Sequence, residues 1–310
     1  MTKTELRRLE NNVEIIGTLK SKELELKISQ NRKRYISGRL VVQSIVNNKI
    51  NEYVIEVFTM ESSKLFKCVE SVKDNYFTID DDGAENADKI KVMGFLKLKE
   101  YVNKQGNLIQ YNEIRGSIFS GLYRHDKTPD KAVATIETVI EGFTEKLDEN
   151  NLPTGDYKVQ GFTVGWNDEV VEFKDTFVGA DLAQSFMNLY QPDMTGQLSF
   201  RLLSYPDLEE KNEFQQVQQG GFGIQVSIET PFKPKTRYIS SLEVVGGKLP
   251  YSCEKAYSQK EINNAKEVRK NKLLELQSKS EFREGFPNQN VPAQLNSTGS
   301  LNMNDMPDFW

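Results

Sequence analysis

Residues 53–72 read YVIEVFTMESSKLFKCVESV, and the spacing of their apolar side chains changes part-way along. The first six residues are rich in β-branched and aromatic side chains, which favours a strand. The acidic-serine turn at 61–63 offers a helix cap. The apolar positions that follow it have the spacing of one helix face, at Leu65, Cys68, Val69 and Val72. This stretch therefore predicts a strand followed directly by a short helix.

Two strands precede this unit and two follow it. Alternation of apolar and polar residues predicts strands at 13–28 and 35–42, and a turn at 103–107 joins strands at 89–102 and 108–123. Three strands, a helix and two strands is the order of the OB-fold, a five-stranded Greek-key barrel. Four strands each contain a glycine that suits the coiling of such a barrel: Gly17, Gly38, Gly94 and Gly116. Another small barrel, or an open meander with one helix, is the alternative.

The middle third repeats this order loosely. Strands are predicted at 134–143, 156–165 and 169–177, a helix at 180–190, and further strands from residue 196 onward. We therefore expect a mainly β chain with two tandem OB-like five-stranded Greek-key barrels, each with a short helix. The tandem arrangement is inferred from element order alone.

The chain changes character beyond residue 250. Ser258 and Glu261 have the spacing of a capping box, and the apolar residues after them keep to one side of a helix that packs on a barrel or pairs with a partner helix. From Glu284 onward there is no Lys or Arg and too little apolar surface to offset the ordering entropy. The expected parts are an N-terminal OB-fold domain at 1–128, a second OB-like β domain at 129–250, an amphipathic helical segment at 251–283, and a disordered linker with an acidic-aromatic tip at 284–310.

Composition excludes several classes of protein. The chain has 310 residues, a net charge of −5 and no apolar run of the roughly 18 residues that a membrane span needs. Its N-terminus lacks the apolar stretch of a signal peptide, so we expect a cytoplasmic protein. The only histidine is His125, and the only cysteines are Cys68 and Cys253, which leaves almost nothing for a catalytic triad or a zinc site. We expect no catalytic residue, metal, cofactor, membrane contact or enzymatic activity.

Charge is unevenly distributed along the chain. Residues 1–128 carry 22 basic against 18 acidic side chains, residues 129–250 carry 10 against 19, and residues 251–310 carry 8 against 8. An electrostatic contact with phosphate is therefore expected chiefly in the N-terminal domain.

Single-stranded nucleic acid is bound by cations that follow the phosphates and by flat side chains on which bases stack. Lys97, Lys99 and Tyr101 share the phase opposite Leu96 and Leu98, so we expect them to face outward together. The candidates in the first domain lie on strands and loops that an OB-fold uses for this purpose, and they are Arg32, Lys33, Arg34, Tyr35, Arg39, Lys97, Lys99, Tyr101, Lys104, Tyr111 and Arg115. A solvated barrel exterior, with the tyrosines as packing residues, is the other interpretation.

The second domain contributes further candidates. Trp166 stands at a predicted hairpin turn, and a local basic-aromatic patch contains Lys233, Lys235, Arg237 and Tyr238. Because this domain is acidic, scaffolding or a contact within a homo-oligomer is an equal interpretation.

The last six residues form the acidic-aromatic tip: Asp305, Met306, Pro307, Asp308, Phe309 and Trp310. Their carboxylates beside a Met, a Phe and a Trp suit an aromatic-accepting pocket rimmed by Arg or Lys on another protein. An ordinary frayed terminus is the alternative.

The OB-like order, the basic-aromatic face, the linker and the tip together resemble the single-stranded DNA-binding proteins of bacteria and their phages. The bacterial family ends in an acidic run followed by Ile-Pro-Phe, whereas here the acidic run is short, Asp308 is inserted and Trp310 is appended. By this resemblance the tip residues carry partner binding, and a chain of this length resembles a phage protein more than the short bacterial type.

The resemblance implies a non-enzymatic, sequence-tolerant protein that protects single-stranded DNA. It also implies recruitment of replication, recombination and repair proteins through the tip, in the host cytoplasm if the chain is phage-encoded. The alternatives are a structural or adaptor protein such as a virion component, and a recombination mediator or replication initiator.

Overall fold

The computed structural model describes residues 6–103, 105–122, 127–148, 150–206, 238–252 and 254–284, with the backbone alone at 238 and 279–284. The strands are β1 Asn11–Ile28, β2 Arg34–Val46, β3 Lys49–Met60, β4 Lys89–Val102, β5 Leu108–Leu122, β6 Lys131–Leu147, β7 Pro153–Val164, β8 Val170–Glu172, β9 Thr176–Val178, β10 Thr195–Pro206 and β11 Tyr238–Gly247. The helices are α1 Phe66–Asn75, α2 Ile79–Asp82, α3 Ala180–Leu189 and α4 Gln259–Glu284, and a short 3-10 helix spans Trp166–Asp168. The predicted mainly β character is confirmed.

The first five strands close into a barrel, here called the first ring. β1 pairs antiparallel with β2 and β4, β2 pairs with β3, and β4 pairs with β5. A short parallel contact between β3 and β5 completes the ring. Phe66, Val69 and Val72 of α1 are buried in its core, because the helical spacing of the apolar residues points them to one side. The predicted five-stranded barrel with a helix after its third strand is confirmed.

Two glycines are required where strands of this ring approach each other. A Cβ on Gly38 would overlap the carbonyl oxygen of Glu23 on β1, and the φ of Gly38 is +150°. A Cβ on Gly94, which borders a bulge between β4 and β5, would overlap the carbonyl oxygen of Arg115. Both positions therefore need glycine for the strands to coil into a closed barrel.

The strands of the second half also pair in a ring. β6 pairs with β7 and β10, β10 with β11, and β7 with β9, while β9 and β11 run parallel. β6 pairs with β1 as well, from Asn11 opposite Ile136 to Ile16 opposite Lys131. One sheet and one hydrophobic core therefore run through both halves. The division into domains at residues 128 and 250 stays a prediction.

The C-terminal helix packs on this body. The Ser258 N–H donates to Glu261 Oε2 at 2.8 Å, and the Glu261 N–H donates to Ser258 Oγ at 3.3 Å, so the predicted capping box is present. Ile262 and Ala265 are buried in a second cluster with the N-terminal segment. Of the two interpretations of this helix, packing on a barrel is the one that the structure shows.

One predicted strand is wrong. The strand expected at 169–177 is two short strands, β8 and β9, and Asp175 between them has a φ of +53°, which an extended strand does not permit. In the described part of the chain, no helix is both long and apolar enough to cross a bilayer.

Candidate nucleic-acid interface

The hairpin between β1 and β2 presents the first group of candidates. The Ser29 N–H donates to the Lys33 carbonyl at 2.8 Å, and Arg32 turns the chain with a φ of +60°. The side chains of Arg32 and Lys33 are exposed at this turn. Their cations are therefore open to a ligand that approaches the edge of the barrel.

Strand register places the next candidates side by side on the outside of the first ring. Arg39 on β2 lies opposite Glu56 on β3. Glu56 lies opposite Arg115 on β5, which in turn lies opposite Phe95 on β4. Opposite residues project from the same side of a sheet, and alternation continues that side along each strand. The outer face of the first ring therefore holds Tyr35, Arg39, Lys97, Lys99, Tyr101, Tyr111 and Arg115.

Two tyrosines of this outer face are open to solvent. Tyr101 is 46% exposed and Tyr111 is 43% exposed. Lys99 precedes Tyr101 by two residues and lies opposite Tyr111, so the two rings flank one cation. Tyr35 is half-buried, with its ring 5.4 Å from that of Phe58. Tyr101 and Tyr111 therefore offer the broadest surfaces on which a base can stack.

Carboxylates interleave with the predicted cations. The contacts are Arg34 Nη1 to Glu61 Oε1 at 2.8 Å, Arg39 Nε to Glu56 Oε1 at 2.7 Å, Lys97 Nζ to Glu169 Oε2 at 3.7 Å and Lys99 Nζ to Glu113 Oε2 at 3.6 Å. The basic groove expected from the sequence is therefore partly neutralised. Within the residues that the structure describes, Arg32, Lys33 and Arg115 have no carboxylate partner.

The β4–β5 hairpin is supported from behind by the second half. Asn112 Nδ2 donates to the Glu172 carbonyl at 2.8 Å, and the Lys174 N–H donates to Asn112 Oδ1 at 2.6 Å. Arg269 of α4 donates from Nη1 to Glu100 Oε2 on β4 at 2.8 Å, and its Nε lies 2.9 Å from Glu172 Oε1 on β8. These contacts hold the backbone of the hairpin in place, and with it the side chains that point outward.

A cavity of about 640 Å³ lies between the outer face and the second half of the chain. Its walls include Arg39, Tyr111 and Glu113 on one side and Lys174 and Leu202 on the other. Burial raises the pKa of the Tyr111 phenol, so that ring is neutral at pH 7. The charged lining contains more carboxylates than cations, so a phosphate is favoured at the rim rather than inside. Among the residues described, no cluster of three or more His, Cys, Asp or Glu side chains is arranged to hold a metal ion.

A protein-family model described as YorF matches residues 10–279, from before β1 into α4. The chain belongs to the YorF family. The outer face lies wholly within the matched residues. No curated protein matches the sequence of this YorF-family chain.

Solved structures similar to this YorF-family chain include the wild-type single-stranded DNA-binding protein from Thermus aquaticus, with a TM-score of 0.48 and 10% identity over 82% of this chain and 99% of that one. A deletion mutant of the Thermus aquaticus protein has a TM-score of 0.47 and 13% identity, over 79% and 97%. The mitochondrial single-stranded DNA-binding protein Rim1 from S. cerevisiae has a TM-score of 0.26 and 14% identity, over 38% and 97%. With TM-scores below 0.5, the fold assignment of the YorF-family chain rests on its own strand pairings.

The remaining candidates divide into two groups. Outside the described residues lie Lys104, Lys233, Lys235, Arg237 and the tip at 305–310, and only the backbone of Tyr238 is described. Trp166 is described: it begins the 3-10 helix after β7 and is 41% exposed. Glu169, three residues later, contacts Lys97 of the outer face, so this turn adjoins that face.

Sequence reasoning missed the acidic and some of the aromatic members of the candidate interface. Glu56 alternates with the buried Ile55 and Val57, and Phe95 shares a phase with Lys97, so periodicity alone places both outward. Glu169 has no comparable local signal, because it reaches Lys97 from the other half of the chain.

Proposed function

We propose that this YorF-family chain is a non-enzymatic protein that binds single-stranded DNA without sequence preference. The observation that carries the proposal is the pair of exposed tyrosines, Tyr101 and Tyr111, that flank Lys99 on the outside of an OB-type barrel. Every base has a flat face, so stacking on such rings tolerates any sequence, and it contributes about 1–3 kcal/mol per base.

In the proposed complex the strand crosses the outer face from the β1–β2 hairpin to the β4–β5 hairpin. Phosphates contact Arg32 and Lys33 at one edge and Arg115 in the middle of the face. They displace glutamates from Arg39 and Lys99, since a phosphate offers the same kind of oxygen acceptor as a carboxylate. The acidic lining of the cavity keeps the backbone of the strand on the rim.

We test the proposal by mobility-shift titration of the full chain with labelled oligo-dT and with a duplex of equal length. We expect the single strand to bind more tightly, and Tyr111→Ala to weaken its binding roughly tenfold through loss of one stacking contact. The matched control is Phe77→Ala, an exposed aromatic between α1 and α2, which should leave binding unchanged. Preference for the duplex, or an equal loss in both variants, would contradict the proposal.

We further propose that the two rings are tandem OB-type domains and that the tip at 305–310 recruits replication, recombination and repair proteins. The recruiting role of the tip is supported by its composition, since Asp305 and Asp308 stand beside Phe309 and Trp310. Deleting 305–310 should leave binding of single-stranded DNA unchanged or tighter and abolish recruitment of a partner. Weaker DNA binding by the shortened chain would mean that the tip belongs to the DNA site.

A protein-binding role is the second candidate, favoured by the glutamates that hold Arg39, Lys97 and Lys99 in ion pairs. A surface of alternating charges with two tyrosines also suits the polar interface of a structural or adaptor protein, or of a recombination mediator. In that case the same titration shows no binding of oligo-dT at moderate salt.

A further inference from the structure

The second ring repeats the strand register of the first ring on its outer side. Lys158 on β7 lies opposite Phe177 on β9, and Phe177 lies opposite Glu243 on β11. Glu243 in turn lies opposite Arg201 on β10. These four residues are here called the second row. The corresponding first row, on β2, β3, β5 and β4, consists of Arg39, Glu56, Arg115 and Phe95.

A shift in strand register marks the same point in both rings. The pairing of β4 with β5 shifts just before Gly94, and the pairing of β10 with β11 shifts just before Phe200. Phe95 and Arg201 are the next residues along β4 and β10. The two rows therefore occupy equivalent positions on the two rings.

The second row points away from the hydrophobic core. Its members alternate along their strands with buried residues, which are Val159, Val178, Leu202, Leu242 and Val244. Like the first row, it contains two cations, one glutamate and one phenylalanine. Arg201 Nη1 lies 3.0 Å from Glu243 Oε2. Lys158 is exposed and has no carboxylate partner among the residues described.

Lysines lie over two aromatic rings on this side of the second ring. Lys146 Nζ is 4.7 Å from the centroid of the Phe177 ring. Tyr205 follows Arg201 by four residues on β10 and so shares its side of the strand, and Lys49 Nζ is 4.5 Å from the centroid of the Tyr205 ring. A cation–π contact near solvent is generally weaker than the stacking of a base. A base can therefore replace each ammonium group, which then contacts a neighbouring phosphate.

We propose that the outside of the second ring is a second binding face for single-stranded DNA. Phosphates contact Lys158 and Arg201, and bases stack on Phe177 and Tyr205. The inference rests on the proposed function and adds that one chain holds two segments of the strand, one on each ring. Because residues 129–250 carry 10 basic against 19 acidic side chains, the second face binds more weakly than the first.

The binding stoichiometry of the full chain tests the second face. Oligo-dT of about 8 nucleotides falls within the site size of one OB-fold, and a length of about 30 nucleotides exceeds it. In calorimetric titrations at low salt, we expect two of the shorter strands to bind per chain, in a tighter and a weaker step. Lys158→Glu, which places a like charge beside the phosphates, should abolish the weaker step and leave the tighter one within about twofold of the parent. It should also weaken binding of the longer strand roughly tenfold.

Two further variants complete the test. Lys260→Glu, the same charge reversal at an exposed lysine of α4, is the matched control and should leave both steps unchanged. Tyr111→Ala should weaken the tighter step alone. A single step that only Tyr111→Ala weakens, or two steps that Lys158→Glu leaves unchanged, overturns the second face and leaves the proposed function standing. No binding of either length overturns both.

Discussion

At the scale of residues, the ion pairs of the outer face determine how binding responds to salt. Arg39, Lys97 and Lys99 already face glutamates. A glutamate displaced by a phosphate takes up a cation of its own, which offsets the counterions released from the DNA. Arg32, Lys33 and Arg115 lack such a partner among the residues described, so these three set the expected slope of log K against log salt at about −2 for a single strand.

Glu56→Gln tests this account at a single position. The substitution removes the carboxylate that Arg39 holds at 2.7 Å and leaves Glu23, opposite Arg39 on β1, as its remaining acidic neighbour, so the guanidinium is more available to a phosphate. We expect tighter binding of oligo-dT at low salt and a slope steeper by about 0.7, measured by titration at several salt concentrations. Glu70→Gln on α1 is the matched control, and an unchanged slope for Glu56→Gln would mean that Arg39 does not contact phosphate.

Gly38 is a second residue whose replacement is expected to have a large effect, in this case on the free energy of unfolding. Its positive φ and the carbonyl of Glu23 leave no room for a side chain on β2. We expect Gly38→Ala to lower the free energy of unfolding by on the order of 2–3 kcal/mol, measured by urea unfolding. Gly246→Ala is the control, because a Cβ there meets no atom within 4 Å. A loss no larger than that of the control would show that β1 and β2 separate readily.

At the scale of elements, α4 joins the two halves through one buried guanidinium. The side chains of Arg269 and Glu100 are 6% and 2% exposed. Arg269 contacts Glu100 on β4 and Glu172 on β8, while Lys272 Nζ lies 3.4 Å from Glu100 Oε2. This network fixes the back of the β4–β5 hairpin, whose front carries Tyr101 and Tyr111.

Removal of Arg269 should therefore be costly. Arg269→Ala leaves two carboxylates without their buried counter-charge, and such a change typically lowers stability by about 3–5 kcal/mol. Lys270→Ala, the exposed neighbour on the same helix, should change it by less than about 0.5 kcal/mol. Chemical unfolding of both variants is the measurement, and equal stabilities would show that the network is not a major contributor.

The same network predicts a pH dependence. Burial acts to raise the pKa of Glu100, but the hydrogen bonds from Arg269 and Gln110 outweigh it and hold that pKa below its usual value. The pKa of Glu172 is lowered by the same balance of burial against Arg269 and Lys174. A group with a lowered folded pKa stabilises the fold fully above its unfolded pKa, about 4.3 for Glu, and loses that contribution as the pH falls through the folded value.

We therefore expect the parent chain to lose stability as the pH falls below about 4. In Arg269→Ala the carboxylates of Glu100 and Glu172 lack the guanidinium that compensates their charge. Protonation removes that uncompensated charge and so stabilises the variant. The difference in unfolding free energy between parent and variant should consequently shrink from pH 7 to pH 3.5. Urea unfolding at both pH values measures it, and a difference that grows on acidification would contradict the assignment.

At the scale of the whole molecule, the two rings are joined by strand pairing and by core packing, and not by a linker alone. β1 and β6 pair directly, and one hydrophobic core contains buried residues from both halves. We expect one cooperative thermal transition, with equal calorimetric and van't Hoff enthalpies. Two resolved transitions would show instead that the halves unfold independently.

Local sequence patterns predicted much of the fold and part of the candidate site. The helical spacing of Leu65, Cys68, Val69 and Val72 predicts α1, the spacing of Ser258 and Glu261 predicts the start of α4, and alternation around Lys97 places Tyr101 outward. These features depend on neighbours within about one turn of helix or a few positions along a strand, so the order of residues is sufficient to predict them.

The sequence by itself thus determined most of the elements, their order and the apolar side of the strands, but not the break at Asp175 that separates β8 from β9. Only the tertiary structure decided which charges meet: Arg269 contacts Glu100 across 169 residues, Lys97 meets Glu169, and Arg8 covers Trp166. The physical reason is that periodicity reports burial against an unspecified partner, whereas an ion pair or a stacked ring requires particular partners that are brought together by the pairing of β1 with β6 and the docking of α4.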